Sequence, residues 1–209
     1  MVTSTELLAL AARERVIPII RSNECAAAVR IGRALIEAGF GALEISLTTP
    51  DALDGIAELA ALGTAQIGAG TVLTRQDVAN AQAAGASFLI TPAVTESLAE
   101  SVARGIPVLA GALTPTEILA AWSAGATAVK LFPAEFGGPA YLSALRAPFP
   151  NIPLIPVGGV TVDSARDYLH RGALAVGVGS PLTGRATDTF DERALSVRAS
   201  AFMSLRDLS

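Results

Sequence analysis

The chain has 209 residues, of which 51% are hydrophobic and 16% are charged, a composition that argues against disorder and predicts one domain over residues 1–209. We expect this domain to be cytoplasmic, because no apolar run is long enough to span a bilayer. The net charge of −4, without a cluster of basic residues, excludes nucleic-acid binding, and the short apolar runs exclude a membrane span. One cysteine, Cys25, and one histidine, His170, leave no internal disulfide and few zinc-type ligands, so we expect no metal site. The chemistry that the residues suggest also needs no cofactor.

Short apolar runs alternate with helical segments from one end of the chain to the other. A short helix is predicted over residues 5–15, and a second helix, with apolar residues at helical spacing, over residues 24–38. The apolar runs are predicted strands at residues 16–21, 42–47, 66–70, 87–90, 106–109, 127–131, 153–157 and 173–178. This alternation predicts a (β/α)8 TIM barrel with a short N-terminal helix, and the alternative is a doubly wound open sheet.

The helix boundaries carry local signals of their own. Threonines predict three helix starts: Thr49 before a proline, Thr74 with Asp77 three residues on, and Thr114 with Glu117 three residues on. Four similar segments also recur, AGFGALE at 38–44, AGASFL at 84–89, AGATAVK at 124–130 and RGALAV at 171–176. Each is predicted to end a helix with glycine and to lead into an even-numbered strand.

Lys130 is the only lysine in the chain, and it lies inside the apolar sixth run. Alternation along a strand places Lys130 on the same face as Ala128 and Phe132. Burial on that face penalises the ammonium form and lowers the pKa of the lysine, which favours a Schiff-base nucleophile toward a carbonyl substrate. The alternative is a strand-end lysine whose charged end reaches water.

Glu44 occupies the corresponding inward position of the second strand. A carboxyl and an amine would then share the barrel interior. The alternative is an ion pair that only fills space, although such a pair is a poor source of stability once desolvation is counted. In the functional interpretation, neutral Lys130 attacks a ketone to form an imine and Glu44 moves the protons. The imine accepts electrons from the breaking carbon-carbon bond, so the reaction is a retro-aldol cleavage that releases pyruvate.

Two groups of residues at the ends of other strands suit anions. Arg21 ends the first strand, and Thr71 follows the third; a guanidinium and a hydroxyl together can hold a carboxylate. Arg21 could equally be an ordinary solvated charge. Glycines follow strands seven and eight, where barrels commonly bind phosphate, with a helix starting near Thr161. Glycine is also common in tight turns between strands and helices, so these glycines have a purely structural alternative.

Taken together, these residues resemble the family of 2-keto-3-deoxy-6-phosphogluconate and 4-hydroxy-2-oxoglutarate aldolases, class I enzymes that act through a lysine Schiff base. The resemblance covers nearly the whole chain and rests on VIPII at 16–20, LEI at 43–45, GAGTV at 68–72, KLFPA at 130–134, PVGGV at 156–160 and GVGS at 177–180. It implies a cytoplasmic homotrimer that acts on a small phosphorylated keto acid. The implied roles are Schiff-base lysine for Lys130, acid and base for Glu44, pyruvate end for Thr71 and Phe132, and phosphate end for Gly158, Gly159, Gly179 and Ser180.

The chain departs from the family pattern at two positions. Many members have Leu-Arg-Thr and use that arginine for the substrate carboxylate, but here the run is LTT at 47–49, so Arg21 is expected to take over. Members that lack the strand-two arginine often carry one at the end of strand one. Val157 stands where the gluconate enzymes usually have threonine, which resembles the branch that acts on the galactonate epimer.

We therefore predict a class I aldolase that cleaves 2-keto-3-deoxy-6-phosphogluconate to pyruvate and glyceraldehyde 3-phosphate. Within the class, the alternatives are the galactonate epimer and 4-hydroxy-2-oxoglutarate. Outside it, the alternatives are a phosphate-binding barrel isomerase and a non-catalytic barrel. An isomerase would keep its turnover after Lys130→Met, whereas an aldolase of this kind would lose cleavage.

Overall fold

The computed structural model describes residues 2–185 and 190–208. Its eight strands are all parallel and hydrogen-bond in the order β7-β6-β5-β4-β3-β2-β1-β8. A bridge between Val157 and Gly177 joins the two end strands of that order, and the amide of Leu174 donates to the carbonyl of Leu154 at 3.0 Å beside it. The sheet is therefore a nearly closed barrel, which confirms the barrel prediction over the open sheet.

Helices alternate with the strands around the barrel. The strands are β1 Val16–Ile20, β2 Ala42–Ser46, β3 Gln66–Gly70, β4 Phe88–Ile90, β5 Val108–Ala112, β6 Ala128–Leu131, β7 Leu154–Pro156 and β8 Val176–Val178. The α-helices are α1 Ser4–Glu14, α2 Cys25–Glu37, α3 Ala52–Ala60, α4 Arg75–Ala83, α5 Glu96–Ala103, α6 Pro115–Ser123, α7 Gly138–Arg146, α8 Val162–His170, α9 Ser180–Thr183 and α10 Glu192–Met203. Short 3-10 helices cover Ala134–Phe136 and Ser204–Asp207. Every predicted strand is present in the structure.

The buried apolar side chains form two hydrophobic clusters, one outside the barrel sheet and one inside it. The larger one lies between the sheet and the surrounding helices and takes residues such as Leu43 and Val129 from alternate strand positions. The smaller one fills the barrel interior with residues such as Ala42 and Ala128 from the intervening positions, and Leu7 of α1 packs against it. Since successive side chains of a strand point to opposite faces, Glu44 and Lys130 share the interior face with Ala42 and Ala128, as predicted.

The predicted helix boundaries agree with the structure at most positions. Thr74 and Thr114 each form a capping box, and the glycines of the four repeated segments, Gly39, Gly85, Gly125 and Gly172, all have φ between 90° and 101° after a helix end. The start predicted at Thr49 is wrong. The N-cap of α3 is Asp51, which has a left-handed backbone and no side-chain cap, because the Thr49 hydroxyl instead accepts a hydrogen bond from the amide of Ser22 at 3.2 Å.

None of the helices within residues 2–185 and 190–208 combines the length and the apolar character that crossing a bilayer requires.

Candidate active site

A cavity of about 280 Å³ opens at the carboxyl ends of the barrel strands. Its lining includes all nine predicted site residues: Arg21, Glu44, Thr71, Lys130, Phe132, Gly158, Gly159, Gly179 and Ser180. These residues come from six different places along the chain, and the barrel brings them together because its parallel strands all end at one rim. The shared cavity is the candidate active site.

Lys130 projects into this cavity from β6. Its backbone pairs with Gly111 of β5 and Ile155 of β7, and the residue is only 7% exposed. Burial lowers the pKa of Lys130; the Glu44 charge opposes this change, and the cation of Arg21 adds to it. The ammonium nitrogen lies 4.9 Å from the centroid of the Phe132 ring. The environment therefore increases the fraction of neutral, nucleophilic amine.

Glu44 reaches the same cavity from β2, where it is 2% exposed. Its Oε2 atom has no hydrogen-bond partner in the described part of the chain. Burial raises the pKa of Glu44 to about 7, and the charges of Lys130 and Arg21 oppose the rise. A carboxyl with this pKa is present in both protonation states near neutral pH, which is what a group needs if it is to accept and return protons.

Space for the Glu44 carboxyl depends on a glycine in the neighbouring strand. A Cβ atom at Gly70 would lie 2.7 Å from Cδ of Glu44 and 2.8 Å and 2.9 Å from its two oxygens. No ion pair among residues 2–185 and 190–208 joins Glu44 to Lys130. The two groups thus interact through their charges without the direct contact that a space-filling ion pair requires.

The contrast with Glu14, another deeply buried carboxylate, is informative. Glu14 lies at the opposite end of the barrel, where it pairs with Arg13 at 3.0 Å and with Arg206, and accepts a hydrogen bond from the amide of Gly41 at 3.1 Å. A buried charge normally has such partners. Glu44 does not have them on Oε2, which sets the site apart from a structural ion pair.

Arg21 and Thr71 lie at the ends of β1 and β3 on the cavity rim. Arg21 is exposed and lowers the pKa values of both Lys130 and Glu44, so its charge acts inside the cavity. Thr71 has a φ of 61°, an unusual conformation for a β-branched residue. Its hydroxyl lies 2.8 Å from that of Ser46. One cation and one hydroxyl are therefore available at this end for a carboxylate.

The glycines after β7 and β8 line another part of the cavity. Gly158 and Gly159 have φ values of 103° and 69°, a region open to glycine at little cost. A Cβ at Gly159 would lie 2.4 Å from a carboxylate oxygen of Glu135, so only a glycine leaves room for the Glu135 side chain at this turn. The turn after β8 is held by the Thr183 hydroxyl, which donates to the carbonyl of Ile19 at 3.1 Å.

Ile19 and Val157 contribute apolar surface to the cavity lining. A Cβ at Gly177 would lie 2.6 Å from a methyl carbon of Val157 and 3.2 Å from Cδ1 of Ile19, so the glycine lets these two side chains pack over it. Val157 is 7% exposed and offers no hydroxyl to a ligand.

The cavity also has lining residues that the sequence did not predict. Ile19 and Pro92 are two of them, together with Val160, Pro181, Thr183, Gly184 and Arg185. Alternation in β1 could have identified Ile19, since it lies two positions from the inward-facing Ile17. Arg185 follows a short helix in a loop, and no periodic signal in the sequence indicates its direction.

No cluster of three or more metal-ligating side chains of the histidine, cysteine, aspartate or glutamate type occurs within residues 2–185 and 190–208. Cys25 and His170, the single residues of their types, both lie outside the cavity lining.

Comparisons with known proteins agree on one family. A family model described as KDPG and KHG aldolase matches residues 9–192. A 2-dehydro-3-deoxy-phosphogluconate aldolase from Pseudomonas aeruginosa is 40% identical over 158 residues, which are 74% of this chain and 72% of the relative. A probable 2-dehydro-3-deoxy-6-phosphogalactonate aldolase from Rhizobium meliloti is 36% identical over 189 residues, covering 88% and 89% of the two chains. The crystal structure of 2-keto-3-deoxy-6-phosphogluconate aldolase from Zymomonas mobilis matches with a TM-score of 0.86 and 29% identity, over 94% and 96%.

Proposed function

The chain belongs to the family of KDPG and KHG aldolases, which are carbon-carbon lyases, and from this premise we propose that it cleaves 2-keto-3-deoxy-6-phosphogluconate to pyruvate and glyceraldehyde 3-phosphate through a Schiff base on Lys130. The observation that carries the proposal is the pair of groups in one cavity. The only lysine of the chain is buried with a lowered pKa, and Glu44 beside it has a pKa of about 7.

In the first stage, the neutral amine of Lys130 attacks the C2 ketone of the substrate and forms a carbinolamine. Loss of the C2 hydroxyl as water, with a proton supplied by the carboxyl of Glu44, gives the protonated imine. Both steps require proton transfer at a group that titrates near neutral pH, and the pKa of Glu44 suits that task. The imine nitrogen then carries the positive charge.

In the second stage, the ionised Glu44 removes the proton of the C4 hydroxyl, directly or through a water molecule. The C3–C4 bond breaks, its electron pair moves toward the imine nitrogen, and glyceraldehyde 3-phosphate leaves as the aldehyde. The enamine on Lys130 takes a proton back at C3, which becomes the methyl group of pyruvate. Addition of water at C2 then releases pyruvate and restores the free amine.

The two ends of the cavity suit the two charged ends of this substrate. Arg21 offers a cation and Thr71 a hydroxyl for the C1 carboxylate, with Phe132 beside Lys130 at the pyruvate end. The backbone around Gly158 and Gly159, together with Gly179 and Ser180 after β8, would receive the phosphate. This arrangement requires no metal and no cofactor.

A second candidate substrate is 2-keto-3-deoxy-6-phosphogalactonate, the C4 epimer. Val157 favours it, since this side chain lines the cavity and has no hydroxyl to hydrogen-bond the C4 group. The Rhizobium meliloti relative carries the galactonate name. A coupled assay on both epimers decides between them: preference for the gluconate by at least tenfold in kcat/KM supports the first proposal, and equal turnover or the reverse preference removes it. 4-Hydroxy-2-oxoglutarate belongs in the same assay as the third substrate of this class.

The mechanism itself is tested by treating the protein with pyruvate and borohydride, which reduces an imine to a stable amine, followed by intact mass measurement and peptide mapping. We expect one adduct, located on Lys130. Lys130→Met should abolish both the adduct and cleavage, and Lys130→Arg controls for the loss of positive charge. A folded protein without an adduct would favour an isomerase or a non-catalytic barrel instead.

We also propose that the enzyme works as a cytoplasmic homotrimer. The neighbouring helices α5 and α6 carry large exposed apolar side chains, with Val102 at 42%, Leu119 at 50% and Trp122 at 38%, and such a surface suits contact with another copy. Light scattering coupled to gel filtration measures the mass, for which the proposal requires three times the 21.2 kDa of one chain.

A further inference from the structure

Three hydroxyl groups form a chain that runs from the rim of the barrel into the cavity. The Ser46 hydroxyl, at the end of β2, lies 2.8 Å from the Thr48 hydroxyl and 2.8 Å from the Thr71 hydroxyl. Ser46 is completely buried, and Thr71 lines the cavity. The amide of Thr48 also donates to the Ser46 hydroxyl at 3.4 Å. Ser46 itself is not part of the cavity lining, so any effect on a ligand must pass through Thr71.

Counting the protons of the three hydroxyls fixes the direction of their hydrogen bonds when an anion is bound. A hydroxyl donates one hydrogen bond and accepts up to two. If Thr71 donates to a carboxylate, its oxygen is free to accept from Ser46, and Ser46 then accepts from Thr48. In the reverse order, Thr71 would donate to Ser46 and present only lone pairs to the anion. A chain of hydroxyls polarised in one direction also strengthens its terminal donor.

The backbone of Thr71 gives independent evidence that this hydroxyl is held in place. Its φ of 61° is sterically costly for a β-branched residue, and conformations of this kind persist where surrounding contacts enforce them, often at functional sites. The β2–β3 register, which pairs Ser46 with Gly70, brings the two hydroxyls together. Thr48 is exposed, and its hydroxyl is the outer member of the three.

We infer that Ser46 is a positioning residue for the substrate carboxylate: it donates to Thr71, fixes the direction of the Thr71 hydroxyl proton toward the ligand, and is itself supported by Thr48. This inference rests on the proposed function, since it assumes that the pyruvate carboxylate binds at Thr71. The role is distinct from that of Lys130 and Glu44, because Ser46 touches neither the substrate nor the reacting atoms.

The test is a double-mutant cycle on Ser46 and Thr71, read out by the pyruvate concentration that gives half-maximal borohydride trapping. Ser46→Ala should raise this concentration roughly three- to tenfold, the value of one hydrogen bond, and Thr71→Val should raise it at least as much. In the double variant, Ser46→Ala should add nothing to Thr71→Val, because its effect passes through the hydroxyl that is already gone. Thr48→Val, which removes only the outer link, should have a smaller effect than Ser46→Ala.

Further measurements separate positioning from a general structural defect. For cleavage, Ser46→Ala should raise KM by a similar factor while kcat stays within about twofold. Ser46→Thr, which keeps the hydroxyl, should retain the half-saturating pyruvate concentration of the wild type. Ser101→Ala is the matched control, since Ser101 is equally buried and its hydroxyl bonds only within α5; its pyruvate response should match the wild type.

Each outcome has one meaning. An unchanged half-saturating concentration in Ser46→Ala, or losses that add in the double variant, would overturn the role of Ser46 while leaving the aldolase proposal intact. If the wild-type protein forms no pyruvate adduct, the proposed function fails and the inference about Ser46 fails with it.

Discussion

The difference in unfolding free energy between Glu44→Gln and the wild type should depend on pH. As the pH rises from acid to neutral, this difference should shift in favour of the variant. In the folded protein, the pKa of Glu44 is raised from 4.5 to about 7 by burial. Each factor of ten in proton affinity corresponds to ~1.4 kcal/mol, so the difference corresponds to about 3 kcal/mol of unfolding free energy.

The sign follows from which state binds the proton more tightly. A carboxyl whose folded pKa lies above its unfolded pKa contributes stability below pH 4.5, where both states are protonated, and loses that contribution as the pH rises to about 7. Above this pH, the wild-type protein carries a buried carboxylate whose Oε2 atom has no hydrogen-bond partner among residues 2–185 and 190–208. The glutamine variant has no proton to lose, so it does not experience this decline.

Urea unfolding at a fixed protein concentration measures the effect, with the fluorescence of Trp122, the only tryptophan, and circular dichroism as probes. The difference in unfolding free energy between Glu44→Gln and wild type should change by about 3 kcal/mol in favour of the variant between about pH 4.5 and pH 8. Glu37→Gln, which removes an exposed carboxyl of α2, provides the reference for a surface site. Parallel curves for Glu44→Gln and wild type over this range would refute the reasoning, because they would mean that Glu44 ionises equally easily in both states.

Three further predictions concern the same cavity. Lys130→Met should move the decline in stability to a higher pH, because the Lys130 charge is the largest influence that lowers the pKa of Glu44; the same urea series on the variant measures this, and an unmoved or lower midpoint contradicts it. Gly70→Ala should reduce cleavage by roughly 10²-fold with the fold retained by circular dichroism, since its Cβ would occupy space used by the Glu44 carboxyl; wild-type activity would show that the carboxyl can move aside. Arg21→Ala should raise the half-saturating pyruvate concentration about tenfold, the value of a charged hydrogen bond, and change the unfolding free energy by less than ~0.5 kcal/mol. Arg33→Ala, at another exposed arginine, is its control, and unchanged pyruvate binding would place the carboxylate elsewhere.

The positions of Glu44 and Lys130 could be predicted because they depend on local regularities. Alternation within a strand sets which side chains face inward, and a parallel barrel sets which strand ends meet. The repeated glycines at helix ends were also predictable, since a left-handed residue after a helix strongly favours glycine. Each of these inferences needs only a few neighbouring residues and the fold class.

The errors and omissions involve contacts between distant segments. The start of α3 was misplaced because the Thr49 hydroxyl binds the Ser22 amide, which lies 27 residues earlier in the chain. The bond between Ser46 and Thr71 spans 25 residues and depends on the exact pairing of β2 with β3 and on the left-handed backbone of Thr71. A single sequence carries no direct signal for either contact.

The electrostatics of the cavity explain why its two reactive groups are held close but not in contact. Burial alone favours the neutral forms of both a carboxyl and an amine, which raises the pKa of Glu44 and lowers that of Lys130. Direct contact would favour the doubly charged pair and would reverse both changes. A lysine that must attack a ketone and a carboxyl that must exchange protons near neutral pH both need the separated arrangement. Gly70 provides the space for it, and the pH-dependent loss of stability at Glu44 is its expected cost. Any substitution that lets Glu44 reach Lys130 should therefore stabilise the fold above neutral pH and slow the chemistry at the same time.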